Sequence, residues 1–151
     1  MGDRAKFTSI LVPTDGSEYS VAAGKLAIDM AAFHKARLTF IYVIDEAIID
    51  ELARSSEKTR QEIRRELAES GRRYLDYLAR LAQRRGITAE KVLREGTPHM
   101  EIVDEARKRM ADLIVMGHVG RRGPRRILIG SVAERVIEYA ECPVLITKKE
   151  R

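Results

Sequence analysis

Residues 112–131 read DLIVMGHVGRRGPRRILIGS. The segment opens on an apolar run, Leu113 to Met116, passes into a loop holding Gly117, Gly120 and Gly123, and closes on Gly130 and Ser131, where a helical pattern begins. Strand, glycine-rich loop and helix N-terminus in that order form one step of a parallel α/β sheet. The arrangement puts unpaired backbone N–H groups and the positive end of a helix dipole at the mouth of the sheet. The stretch therefore reads as an anion site, and phosphate is the anion that it suits.

The same alternation extends outward to both ends. Phe7 to Pro13, FTSILVP, reads as a buried strand closed by the turn Thr14-Asp15-Gly16-Ser17. Ser17 is a good N-cap for a helix over Glu18 to Lys35, whose apolar face is marked by Ala22, Leu26, Met30 and Phe33. Arg37 to Ile44, RLTFIYVI, suits a strand covered on both faces. The pattern then weakens from Asp45 to Glu62, and Arg54 to Glu62 is expected to be mobile or loosely helical.

Ile63, Leu67, Tyr74, Leu78 and Leu81 share one stripe of a long helix that Gly86 stops after Arg85. Thr88 to Leu93 is less apolar and is predicted to be an edge strand. Thr97 and Pro98 look like the N-cap and first position of a helix that buries Ile102, Val103, Ala106 and Met110. Leu113 to Met116, a helix carrying Val132, Val136, Ile137 and Ala140, and Val144 to Thr147 complete the series. Five strands and four helices in alternation predict an α/β fold over residues 1–151. It is a single domain built on a three-layer open parallel sheet, with helices on both faces and right-handed crossovers.

Composition narrows the class. No apolar run approaches the ~18 residues that cross a bilayer, and the opening MGDRAKF carries no apolar signal segment. A single cysteine, Cys142, excludes an internal disulfide and fits a reducing compartment, so the expected location is cytoplasmic. The net charge of +5 permits contact with nucleic acid, while aromatics at 5% are too sparse for a base-stacking platform. Charged residues at 34% and the absence of asparagine match the bias of heat-adapted proteins.

In such a sheet ligands bind beyond the carboxyl ends of the strands, where the strand order reverses. The loop there has the spacing Gly117-x2-Gly120-x9-Gly130-Ser131. In this it resembles the universal stress protein family, whose nucleotide-binding members carry G-x2-G-x9-G followed by Ser or Thr. ILVPTDGSEYS at the first strand, Gly96-Thr97-Pro98 and CPVLI at Cys142 to Ile146 are similar to the family's flanks. The resemblance implies strand order 3-2-1-4-5, the Rossmann-like architecture of adenine nucleotide alpha hydrolase-like proteins, and ATP, AMP or ADP bound between strands 1 and 4. It further implies that Pro13, Thr14 and Asp15 line the ribose and adenine side and that the Val43 backbone contacts adenine. Met116 and Gly117 would approach the ribose and α-phosphate, and Gly120, Gly130, Ser131 and Val132 would hold the phosphates. Asp15 could carry Mg²⁺ through the bound nucleotide. The family also implies a homodimer through Val144 to Thr147, and a stress-response regulator with at most slow ATP hydrolysis.

Several of these residues have a plainer reading. Ser131 with Glu134 spells the capping box S-x-x-E. Asp15 suits a turn. His118 reads first as a solvated loop side chain and second as a phosphate contact or phosphoryl carrier. Cys142 reads as a small buried side chain. Arg121, Arg122, Arg125 and Arg126 offer phosphate neutralisation, a nucleic-acid patch or a solvated loop. A nucleic-acid-associated protein using that loop and a phosphotransferase are thus the rival functions. Neither a P-loop signature nor G-x-G-x-x-G after the first strand occurs. Asp112 lies at the wrong end of its strand to hold a metal at phosphates, and no general base is evident.

Overall fold

The computed structural model describes residues 6–119 and 129–148. Five strands, β1 (Ser9–Pro13), β2 (Arg37–Asp45), β3 (Glu90–Gly96), β4 (Leu113–Gly117) and β5 (Val144–Thr147), form one sheet in the order β3-β2-β1-β4-β5, with every neighbouring pair parallel. The helices are α1 (Glu18–His34), α2 (Glu46–Ser55), α3 (Arg60–Arg84), α4 (Pro98–Lys108) and α5 (Ser131–Tyr139). The expected strand order is the observed one.

Alternation along β1 sends Ile10 and Val12 to one face of the sheet and Leu11 to the other. The first face is closed by α1, α2 and α3 over Phe40, Tyr42 and Val115, the second by α4 and α5 over Ile41, Ile114 and Met116. Burial on both faces explains why the central strands read as unbroken apolar runs.

The packing of α1 corrects the expectation from sequence. Leu26 is 40% and Phe33 84% exposed, and the helix instead buries Tyr19, Ala23, Gly24, Ala27, Ile28 and Ala31. Small side chains let α1 lie close to its neighbours; a Cβ on Gly24 would fall 2.8 Å from Leu78 Cδ2.

A fifth helix, α2, occupies the stretch of weakened pattern. Asp45 caps it by accepting from Ala47 N at 2.9 Å, and Ile49 on its inner side is fully buried. Thr59 in turn caps α3, accepting from Glu62 N at 3.1 Å. Arg54 to Glu62 is therefore the end of one capped helix and the start of the next, rather than a loose segment.

At the other corrected positions, Met110 lies beyond α4 with φ 54 and is 81% exposed, and Ile137 on α5 is 46% exposed. Strand β3 starts two residues later than predicted and holds the predicted edge. Charge fastens that edge to α4. Arg94 pairs with Asp104 at 2.9 Å and Glu105 at 3.0 Å, while Arg109 pairs with the same Glu105 at 2.6 Å and reaches Glu90 at 2.5 Å.

Candidate functional site

The strand order reverses between β1 and β4, and the carboxyl ends of these strands open a crevice there. The β1–β4 ladder comprises Ile10↔Leu113 and Leu11↔Ile114, so Val12 and Pro13 have no ladder partner on β4. On the other side β2 outlasts β1. Their ladder ends at Pro13↔Ile41, followed by a hydrogen bond from Thr14 N to Ile41 O at 2.9 Å, whereas β2 and β3 stay paired as far as Asp45↔Gly96. In a parallel strand, residues two apart direct their N–H and C=O toward the same neighbour. Val43, two beyond Ile41, thus turns a backbone donor and acceptor into the space past the end of β1.

The turn after β1 is tightly built. Thr14, 5% exposed, has its Oγ1 3.0 Å from Ser20 Oγ and accepts from Gly16 N at 3.3 Å. Its hydroxyl is therefore occupied in shaping the loop. Asp15 Oδ1 accepts from Ser17 N at 2.9 Å, which realises the turn reading, and Ser17 Oγ accepts from Ser20 N at 3.1 Å as the cap of α1. Gly16 adopts φ 83 beneath the ring of Tyr74, which comes within 2.3 Å of where a Cβ would stand. No residue but glycine fits that conformation and that space.

Across the crevice, Met116 is buried and its carbonyl accepts from Thr147 Oγ1 at 3.2 Å. Gly117 ends β4 against the first turn of α1. His118 then ties three elements together. Its N–H donates to Thr147 O at 2.9 Å, its carbonyl accepts from Gly130 N at 2.5 Å, and its ring stands edge-on to Tyr19 with centroids 5.1 Å apart. Its Nδ1 is buried and has no hydrogen-bond partner among the described residues. This replaces the expectation of a solvated loop histidine.

Gly130, not Ser131, is the N-cap of α5, and Glu134 N donates to the Gly130 carbonyl at 2.9 Å. Ser131 thus occupies the first helical position, which removes the S-x-x-E capping-box reading. With the Gly130 amide given to His118, the N–H groups of Ser131, Val132 and Ala133 remain at the helix start without intrahelical acceptors. Ser131 is exposed and Val132 half-buried.

The structure brings Pro13, Thr14, Asp15, Val43, Met116, Gly117, Gly130, Ser131 and Val132 to one end of the sheet. Gly120, Arg121, Arg122, Gly123, Pro124, Arg125 and Arg126, like the terminal Lys149 and Arg151, lie outside the described residues. Tyr19, packed against Gly117 and His118, and Tyr74, packed against Gly16, were not among the sequence candidates. Their only signal was position, Tyr19 just inside a capped helix and Tyr74 on the apolar stripe of α3.

Two concave surfaces lie away from this end. One, of about 310 Å³, is lined by Val103, Met110 and Cys142 among others, and the other, of about 370 Å³, by Asp76, Ala79, Arg80, Gln83 and Lys91. Burial pushes the Cys142 thiol up, away from thiolate chemistry. Among the described residues no group of three or more His, Cys, Asp or Glu side chains is placed to hold a metal ion, and no helix is long and apolar enough to cross a membrane.

A model of the universal stress protein family matches residues 6–148. Universal stress protein MJ0531 of Methanocaldococcus jannaschii is 42% identical over 145 residues, covering 96% of this chain and 84% of that protein. Among solved structures, MJ0577 of the same organism superimposes with a TM-score of 0.84 at 28% identity, over 97% of this chain and 99% of that one. A universal stress protein in complex with cAMP gives 0.68 at 26% identity, over 97% and 100%. With the sheet order and nearly the whole length in agreement, the chain belongs to the universal stress protein family.

Proposed function

We propose that this universal stress protein binds an adenine nucleotide, ATP in particular, across the β1–β4 crevice and acts as a nucleotide-dependent regulator. The observation that carries the reading is the pairing of two open backbone sites. Val43 offers a C=O and an N–H beyond the end of β1, matching the amino donor and ring-nitrogen acceptor on the adenine edge. Ser131, Val132 and Ala133 offer amides at a helix start, which suit phosphate. The cAMP complex of a 26% identical relative supports an adenine nucleotide as the ligand class. Where a nucleotide is bound, the Ser131 hydroxyl would donate to a phosphate oxygen. Mg²⁺ carried by the phosphates would find a carboxylate in Asp15, which stands in the turn after β1 at this end of the sheet.

Among the described residues no side chain of the crevice is placed as a general base, and the reading is accordingly of a sensor with at most slow hydrolysis. Calorimetry with MgATP tests the binding site. Ser131→Ala should weaken affinity roughly tenfold, the loss of one hydrogen bond to a charged group. Equal affinity of the two proteins would remove the phosphate assignment. A phosphotransferase would instead show multiple turnovers with an acceptor.

The protein is also proposed to form a homodimer through β5. That strand is one edge of the sheet and, among the described residues, has no strand paired to its outer side. Exposed apolar side chains flank it on both faces. Leu26 and Phe33 lie on the side of α1 turned away from α3, and Ile137 lies on the flank of α5 opposite Tyr139, which stacks on His99 of α4.

A further inference from the structure

We infer that the outer face of α3 is a docking surface for the phosphodiester backbone of duplex nucleic acid. The helix buries Ile63, Ala68, Gly71, Leu75, Leu78 and Ala82. On the opposite side stand Arg65, Arg72, Arg73, Arg80 and Arg84, all exposed. At 100° per residue these five share one face, and at about 1.5 Å per residue they span about 29 Å.

Arg60, Arg64, Arg85, Arg94, Arg107 and Arg109 each hold a carboxylate. None of the five forms an ion pair among the described residues. Of the carboxylates on this side of α3, Glu66 is engaged by Lys58 at 2.8 Å and Asp76 by Lys91 at 2.8 Å, while Glu62 and Glu69 stand among the arginines and leave the five in excess. Lys91 and Arg80 line the groove of about 370 Å³ between α3 and β3, which extends the basic surface toward the sheet edge.

The chemistry selects the partner. Guanidinium groups match phosphate oxygens in fork geometry, and the chain carries a net charge of +5. A membrane-surface helix would need an apolar face turned outward, and that of α3 is spent on the core. Tyr77, 41% exposed, is the one large apolar side chain on the outer side, too little to stack successive single-stranded bases. What remains is a helix face with arginines in excess over carboxylates, suited to the phosphates of a duplex without base specificity.

The test is fluorescence anisotropy of a labelled 20-base-pair DNA duplex titrated with the full chain between 25 and 200 mM KCl, conditions over which each phosphate contact contributes roughly 0.9 to the slope of log K against log salt. The surface predicts salt-sensitive binding. The triple variant Arg73→Gln, Arg80→Gln and Arg84→Gln should lower the slope by about 2 to 3, while its thermal midpoint and MgATP affinity stay unchanged. Absence of binding at 25 mM KCl would overturn the inference. So would an unaltered slope in the triple variant, or loss of binding only when Arg121, Arg122, Arg125 and Arg126 are neutralised instead. Binding to anionic vesicles with none to the duplex would assign the face to lipid and equally reject it.

Discussion

Tyr19 fills the space that a side chain on Gly117 would need. A Cβ there would stand 2.8 Å from Tyr19 Cβ and 2.9 Å from its carbonyl carbon and oxygen. The last residue of β4 and the first turn of α1 therefore meet backbone to backbone. Gly117→Ala should destabilise the ligand-free protein by about 1–3 kcal/mol, because the obstructing atoms include backbone and cannot turn aside. Thermal unfolding without nucleotide checks this, with a fall of roughly 2–4 °C per kcal/mol expected. If the midpoint held and only ATP binding fell, the glycine would serve the ligand rather than the packing.

Asp15 combines a turn acceptor with a charge, and the two are separable. Asp15→Asn keeps an oxygen to accept from Ser17 N, the bond present at 2.9 Å, but removes the negative charge. The expected outcome is an unchanged thermal midpoint with loss of the Mg²⁺-dependent part of ATP affinity. Asp15→Ala should lose both, the turn costing about 1 kcal/mol. Parallel calorimetry with and without Mg²⁺ decides the matter; an Asn variant that retains full Mg²⁺ dependence would leave Asp15 a turn residue only.

Much of the fold was legible because a sheet buried on both faces must be written in unbroken apolar strands. Ile10 to Val12, Leu38 to Tyr42 and Leu113 to Met116 are all buried. What misled was size. Met30 does pack against the core, but Leu26 and Phe33 only look like its core face, and a helix lying close on a sheet is set by Ala23, Gly24, Ala27 and Ala31, whose small volumes give little periodic signal. Helix α2 went unread because one residue, Ile49, supplies its buried anchor and its cap, Asp45, is also the end of β2. At the candidate site, the glycine spacing pointed to the carboxyl end of β4 and the start of α5, where Gly117 and Gly130 stand. The division of labour within it was invisible, since the partners of Gly117 and of the Gly130 amide, Tyr19 and His118, are fixed only by tertiary structure.

Asp112 illustrates a charge whose role is structural. Its carboxylate accepts from Thr8 N at 2.8 Å, Ser9 N at 3.0 Å and Thr8 Oγ1 at 3.0 Å, joining the amino ends of β1 and β4. Burial favours its neutral form, but these hydrogen bonds together outweigh burial and hold the pKa below its ordinary value. A carboxyl with a lower pKa in the folded than in the unfolded state stabilises above the unfolded value, about 3.9, and that contribution disappears as pH falls through the folded value. Asp112→Asn should therefore cost about 1–3 kcal/mol at pH 7. The gap between wild type and variant should close on acidification below about pH 4. Denaturant titrations at several pH values measure it, and a gap independent of pH would argue that the charge is irrelevant.

The edge at β5 yields the last prediction. Pairing two copies of β5 would extend the sheet and bring the flanking apolar side chains of each copy against the other, so disruption need not touch the core. Phe33 and Ile137 are 84% and 46% exposed, and replacing both with glutamate leaves the interior of one chain intact. Four carboxylates at a paired edge would lose hydration on association and repel one another across the two-fold axis. Light scattering during size-exclusion chromatography should therefore report a dimer for the wild type and a monomer of unchanged circular dichroism for Phe33→Glu with Ile137→Glu. A monomeric wild type at tens of micromolar would refute pairing at this edge, and a dimer that survives the double substitution would place the interface on another surface.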